Sequence, residues 1–144
     1  MKAVFFCNGQ LAEKHPELIS LIKSQGHVVG NHGYNHPDGW KTITSVYIRD
    51  FSKSAEFTSH DLLRPPYGRI RPVQYRELAE TSRIVFWDLM PYDFDDKMNG
   101  KKVLSILKKR IRPGSIIVLH DTTFSSVLSF LDEFIDYALT AGYG

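Results

Sequence analysis

Three features of this 144-residue sequence predict an α/β fold built on a parallel sheet. Short apolar runs alternate with stretches whose apolar residues recur at helical spacing, the pattern of βαβ units. The runs are continuously apolar, as strands buried on both faces of a parallel sheet must be. Residues able to carry chemistry sit directly after the runs, and in parallel sheets, open or closed into a barrel, functional groups gather at the carboxyl ends of the strands.

The elements follow in order. Residues 2–7 (KAVFFC) read as a buried strand turning at Asn8-Gly9. Pro16 suits a first helical position, Leu18, Ile19 and Ile22 form an apolar stripe, and Gly26 is placed to end that helix. Val28 and Val29 make a very short strand. Residues 42–59 carry Val46, Ile48, Phe51 and Ala55 at helical spacing and predict a helix despite several β-branched residues. Leu62-Leu63 is a third strand, stopped by Pro65 and Pro66. Pro72 opens a helix to about Ser82, and residues 84–87 form a fourth strand of β-branched and aromatic residues. Residues 88–96 are rich in acids. Val103, Ile106, Leu107 and Ile111 mark another amphipathic helix, closed by Pro113-Gly114. Residues 115–119 give the clearest strand of all. The last predicted helix spans residues 124–140, with Val127, Leu128, Leu131, Phe134, Ile135 and Ala138 on its buried face.

Composition narrows the function classes. The chain has the size of one domain, with 42% hydrophobic and 24% charged residues, and no repeat, linker or low-complexity tract divides residues 1–144. A net charge of +2 with scattered Lys and Arg argues against nucleic-acid binding. Lys101, Lys102, Lys108, Lys109 and Arg110 read as the solvated face of one helix. Cys7, the single cysteine, forms no internal disulfide and reads as a small buried hydrophobe. There is no apolar run long enough to span a membrane, and the first residues lack the pattern of a signal peptide.

The chemically richest stretch is residues 30–38, GNHGYNHPD, in which His32 and His36 stand four residues apart. On a helix that spacing would put both rings on one face. Gly30, Gly33, Pro37 and Gly39 instead predict a compact loop aiming two imidazoles at one point, for which a metal ion is the obvious occupant. Six histidines can produce this spacing by chance. What raises it above chance is its company: His32 and His36 follow the second predicted strand, Arg64 and Tyr67 the third, Asp93 the fourth and His120 the fifth. Scattered solvated residues have no reason to follow each strand.

Four motifs in this order resemble the polysaccharide deacetylases, carbohydrate esterases of family four. Val4-Phe5-Phe6 and Gly9, then Gly26-His27, Gly30-Asn31-His32 and His36-Pro37, look like that family's entry to its metal-binding histidine motif. Arg64-Pro65-Pro66-Tyr67-Gly68 resembles its arginine-proline-tyrosine motif, Trp87-Asp88 with Asp93-Phe94 its aspartate-tryptophan motif, and Val118-Leu119-His120-Asp121 its leucine-x-histidine motif. The resemblance implies an incomplete, irregular parallel (β/α) barrel. It also implies hydrolysis of N- or O-linked acetyl groups on an acetylated carbohydrate, assisted by a divalent metal, for which zinc is expected. Such an ion activates water and polarises the acetyl carbonyl. His32 and His36 would be metal ligands, His120 the general acid, and Asp93 the group orienting it; histidine suits the acid's role because its charge changes near neutrality. Arg64 would steady the base, and the backbone N–H of Tyr67 would face the developing oxyanion. Structural readings stand beside these: Asp93 capping a turn, Arg64 as an ion-pair partner, His120 bonded to backbone at a strand end.

The sequence also departs from the family pattern. Gly33 stands where Ser or Thr is usual, Phe94 where Trp is usual, Met90 where an acid is common, and Val118 for leucine. The family's strand ending in paired aspartates, the base and the third ligand, is expected before residue 1, and a final strand after residue 144. On that expectation solvent or a substitute acid such as Asp38 fills in at the metal, and the apolar first strand becomes an open edge that favours a homo-oligomer or a marginally stable chain. The alternative function is a catalytically inactive homologue that acts as a carbohydrate-binding module, with Tyr34, Trp40, Tyr67, Trp87 and Phe124 available for stacking on sugars.

Overall fold

The computed structural model describes residues 1–143, which group into two compact units, Lys2–Phe86 and residues from Trp87 onward. The first unit contains β1 (Val4–Cys7), α1 (Gly9–Lys14), α2 (Pro16–Ser24), β2 (Val28–Asn31), α3 (Thr44–Ala55), β3 (Leu62–Leu63), a 3-10 turn (Pro66–Gly68), α4 (Pro72–Ala79) and β4 (Arg83–Ile84). The four strands form one parallel sheet in the order β1-β2-β3-β4, as the alternating pattern predicts. Among the described residues the sheet is open, with β1 at one end and β4 at the other. Tyr47, Phe51, Leu63 and Leu78 form the buried core, with Ile48, Ile70 and Ile84 packed against it. Tyr47 and Phe51 come from one face of α3 at the four-residue spacing of helical neighbours.

Several local expectations in this unit are revised. Asn8-Gly9 begins a helix as well as ending a strand: the Asn8 side chain accepts a hydrogen bond from the Leu11 N–H at 3.1 Å, the standard N-cap arrangement. β1 is not buried on both faces: Val4 and Phe5 remain 45% and 37% exposed, and among the described residues the strand pairs with β2 alone. Helix α2 ends as predicted, with Gly26 at φ 77°, yet buries none of its residues. The strand expected at residues 84–87 reduces to Arg83–Ile84, extended by one further bond from the Val85 N–H to the Leu63 carbonyl at 2.9 Å.

The second unit holds α5 (Gly100–Arg110), a 3-10 turn (Val127–Ser129) and α6 (Leu131–Thr140). Its core joins Leu89, Val103, Leu104, Leu107, Val127, Phe130 and Phe134. The strand predicted at residues 115–119 survives as a single parallel bridge, Leu89 to Ile117. The cause lies in the neighbouring segment: the Asp88 carboxylate takes the Ile116 N–H at 2.7 Å, and Pro91 has no N–H to extend the ladder. The predicted helix over residues 124–140 starts only at Leu131. Ser125 and Ser126 are drawn out of helical geometry by bonds to Asp93, which leaves Phe124 and Leu128 exposed, while Val127, Phe134 and Ala138 are buried as expected. No helix among the described residues is long and apolar enough to cross a membrane.

Gly9 packs where a side chain has no room: a Cβ there would lie 2.8 Å from the Ser54 Cα and 2.6 Å from its Oγ. Because one of those neighbours is backbone, Gly9→Ala should cost about 1–3 kcal/mol as overpacking, read as a lowered urea midpoint with unchanged slope.

Candidate functional site

The histidine loop is assembled at the carboxyl ends of β1, β2 and β3. Register pairs Cys7 with Asn31 and Asn31 with Leu63, so the next residue on each strand is presented at the same level. The His32 N–H bonds the Cys7 carbonyl at 3.0 Å, and the Arg64 N–H bonds the Asn31 carbonyl at 2.9 Å. This brings the Arg64 carbonyl to 2.7 Å from His32 Nδ1. A carbonyl only accepts, so Nδ1 carries the hydrogen and the lone pair of the neutral ring resides on Nε2, the arrangement a metal-ligating histidine requires.

The chain then leaves the sheet, and its path is fixed by two residues to which the sequence reading gave no role. Asn31, buried, accepts the Gly33 N–H at 2.9 Å and donates to the Phe51 carbonyl at 2.9 Å. Asp50, on α3, accepts the Tyr34 N–H at 2.6 Å, the Asn35 N–H at 3.1 Å and the Asn35 side-chain amide at 2.7 Å. Gly33 has φ 75°, and a Cβ there would stand 2.8 Å from the Pro37 ring and 3.0 Å from the Asp50 carboxylate. Glycine therefore suits this loop for both conformation and space. His36 also lies in the left-handed region, at φ 56°. The outcome is two imidazoles whose ring centroids are 4.8 Å apart at 72°.

Arg64 and Tyr67 lie beside the histidine loop. Arg64 donates from Nε to the Val85 carbonyl at 3.5 Å, and its guanidinium lies 4.2 Å from the centroid of Phe6. Burial pulls it down to about 10, so it stays cationic at neutral pH. Tyr67, at φ 59°, sets its ring 4.8 Å from that of His36 and remains 61% exposed. Asp38, expected as a possible substitute ligand, is already bonded. Its carboxylate is engaged by Arg69 Nη1 at 2.6 Å and by the Trp40 N–H at 3.0 Å, bonds that outweigh its desolvation and hold its pKa low.

The donor set fits a divalent ion in part. His32 and His36, with ring centroids 4.8 Å apart, would supply two of the three protein ligands usual at a catalytic zinc site. No group of three or more His, Cys, Asp or Glu side chains suited to a metal occurs among the described residues.

In the second unit Asp93 and His120 meet as the resemblance implies. Asp93 is fully buried, and its carboxylate accepts His120 Nδ1–H at 2.9 Å, the His120 backbone N–H at 2.7 Å and the Ser125 hydroxyl at 2.8 Å. Burial pushes its carboxyl pKa up, but the bonds from His120 and Ser125 outweigh burial and hold it below the usual carboxylate range. Asp93 is thus more than a turn cap. It fixes the imidazole orientation and leaves Nε2 as the ring's second proton-exchanging atom. Phe94 packs its ring 4.5 Å from His120 at 70°, an apolar wall beside the imidazole. Ser125 escaped the sequence reading because it falls inside a segment read as helix.

Two outcomes follow from this geometry. Removing the shared acceptor in Asp50→Ala should cost about 1.5–3 kcal/mol and abolish hydrogen-exchange protection at Tyr34 and Asn35. For Asp93 the folded pKa lies below the unfolded value near 3.9, so its contribution is complete above that value and fades as pH falls through the folded one. The stability difference between the parent protein and Asp93→Asn should therefore shrink as pH drops below about 4; a difference that widens in that range contradicts the assignment.

Comparison with known proteins agrees with this architecture. Residues 1–82 match the family model described as polysaccharide deacetylase. Over 152 positions the chain is 31% identical to a peptidoglycan-N-acetylglucosamine deacetylase of Bacillus cereus, covering 99% of this chain and 55% of that protein. It is 30% identical to a peptidoglycan-N-acetylmuramic acid deacetylase of Bacillus subtilis, covering 92% of this chain and 54% of that one. The chain thus spans about half the length of these curated relatives. A crystal structure of a peptidoglycan N-acetylglucosamine deacetylase superposes with a TM-score of 0.92 at 29% identity, over 99% of this chain and 71% of that one. Matching motifs, matching fold and the family model over residues 1–82 lead to one conclusion: the chain belongs to the polysaccharide deacetylase family.

Proposed function

We propose that the protein carrying this chain is a metal-dependent hydrolase that removes acetyl groups from an acetylated sugar polymer, with peptidoglycan or chitooligosaccharide the substrate class suggested by its relatives. The observation that carries this reading is the contact of His32 Nδ1 with the Arg64 carbonyl, which places the lone pair of the neutral ring on Nε2, as in a metal-ligating histidine. His32 and His36 would hold the ion, which when bound polarises the acetyl group and favours ionisation of water.

The remaining roles belong to side chains and backbone. His120, oriented through Nδ1 by Asp93, delivers a proton from Nε2 to the departing amine or alkoxide. Asp93 stabilises the imidazolium form electrostatically and keeps the ring from turning. The backbone N–H of Tyr67 serves the developing oxyanion, and the left-handed turn at Tyr67 sets its direction. Arg64 contributes a fixed positive charge after β3. These roles rest on the order of motifs shared with the family and on the local geometry within each unit.

Acetate release from N-acetylated peptidoglycan or chitooligosaccharide, measured with the protein carrying this chain, tests the reading. Chelation should abolish release, and His32→Ala and His36→Ala should weaken zinc binding in calorimetry. His120→Ala should lower kcat by about 10²–10⁴-fold with metal affinity unchanged. Metal binding unaltered in both loop variants overturns the ligand assignment. Oligosaccharide binding without acetate release favours the inactive, carbohydrate-binding alternative.

A further inference from the structure

Between the histidine loop and α3 the chain presents Trp40, whose side chain is 59% exposed. A lone exposed apolar residue is ordinary. The surroundings of this one are not. Gln74, completely buried, donates to the Gly39 carbonyl at 3.0 Å and the Thr42 carbonyl at 3.1 Å, gripping the chain on both sides of Trp40. The Trp40 carbonyl accepts from the Arg71 guanidinium, and its N–H is held by Asp38. Gly39 touches the Arg69 backbone so closely that a Cβ would fall 2.3 Å from that carbonyl oxygen. A buried amide, two arginines and an aspartate therefore immobilise a loop whose most prominent product is an indole in water.

The indole also has aromatic company. Arg69, tied to Asp38 at 2.6 Å, places its guanidinium carbon 5.1 Å from the centroid of Trp40 and 5.7 Å from that of Tyr67. Tyr67 in turn meets the His36 ring. A continuous series of contacts thus runs from the imidazole pair through Tyr67 and Arg69 to Trp40. Rigid aromatic faces suit ligands with a flat C–H surface and a hydroxylated rim, since the ring covers the apolar face while polar groups stay wet. Holding the face in place beforehand removes the ordering cost that binding would otherwise carry.

Resting on the hydrolase reading above, we infer that Trp40, with Tyr67 and Arg69, forms a stacking subsite for a pyranose ring of the polymer, adjoining the imidazole pair. Trp40 is a specificity-determining residue here and has no part in proton transfer. The subsite gives the protein a preference for oligosaccharides over single acetylated sugars.

The test compares the parent protein with Trp40→Ala and Trp40→Phe on N-acetylated chitotetraose, measuring Kd by calorimetry and acetate release. Trp40→Ala should raise Kd and KM about tenfold or more, with kcat within about twofold and zinc affinity unchanged. Trp40→Phe should recover most of the loss. Exposure of the side chain makes folding of both variants the expectation, checked by coincident thermal melts. Unchanged Kd in Trp40→Ala, or a fall in kcat together with zinc affinity, overturns the subsite while leaving the hydrolase reading intact. A parent protein that neither binds nor deacetylates the tetramer overturns both.

Discussion

The interaction on which the histidine loop depends is backbone pairing at the ends of three parallel strands. Cys7, Asn31 and Leu63 lie in register, and the next amides on β2 and β3 bond back to the preceding strand. Only because that register places Arg64 beside His32 can the Arg64 carbonyl take the imidazole hydrogen. A slip of one residue would turn Asn31 and His32 to opposite faces and lose the loop supports and the tautomer together. The short β3, two residues long, is sufficient because Pro65 and Pro66 end it just after Arg64 has bonded.

Beyond the sheet edge the loop is held by side chains. Asn31 and Asp50 between them satisfy the N–H groups of Gly33, Tyr34 and Asn35, the residues that separate the two histidines. A loop with its donors occupied has little freedom to rearrange, which holds the two rings 4.8 Å apart. Asp50 also sits where a larger residue at position 33 would press against it.

The second unit uses the same device with one carboxylate. Isolated burial of Asp93 would be costly, and three donors from His120 and Ser125 reverse that cost. The bond from Ser125, with that from the Ser126 N–H to the Asp93 carbonyl, prevents residues 125–126 from joining α6. Orientation of His120 and the late start of the helix are therefore two consequences of one buried charge.

By itself the sequence determined the alternation of elements and the parallel sheet, because strand periodicity and turn residues are local, and it singled out His32, His36, Arg64, Tyr67, Asp93 and His120 as candidates, because strand ends in such sheets gather functional groups. Only the tertiary structure decided which polar groups support that set. Asp50 lies on the helix after the loop, well over ten residues from the groups it holds, Asn31 was read as part of the loop although it ends β2, and Ser125 lay within an apolar pattern that satisfies helical spacing. The strand at residues 115–119 failed for the same kind of reason. Its pattern was right for a strand, but the Asp88 side chain took the Ile116 N–H that the ladder needed. Side chain to backbone bonds between distant segments leave no periodic trace, so folding alone reveals them.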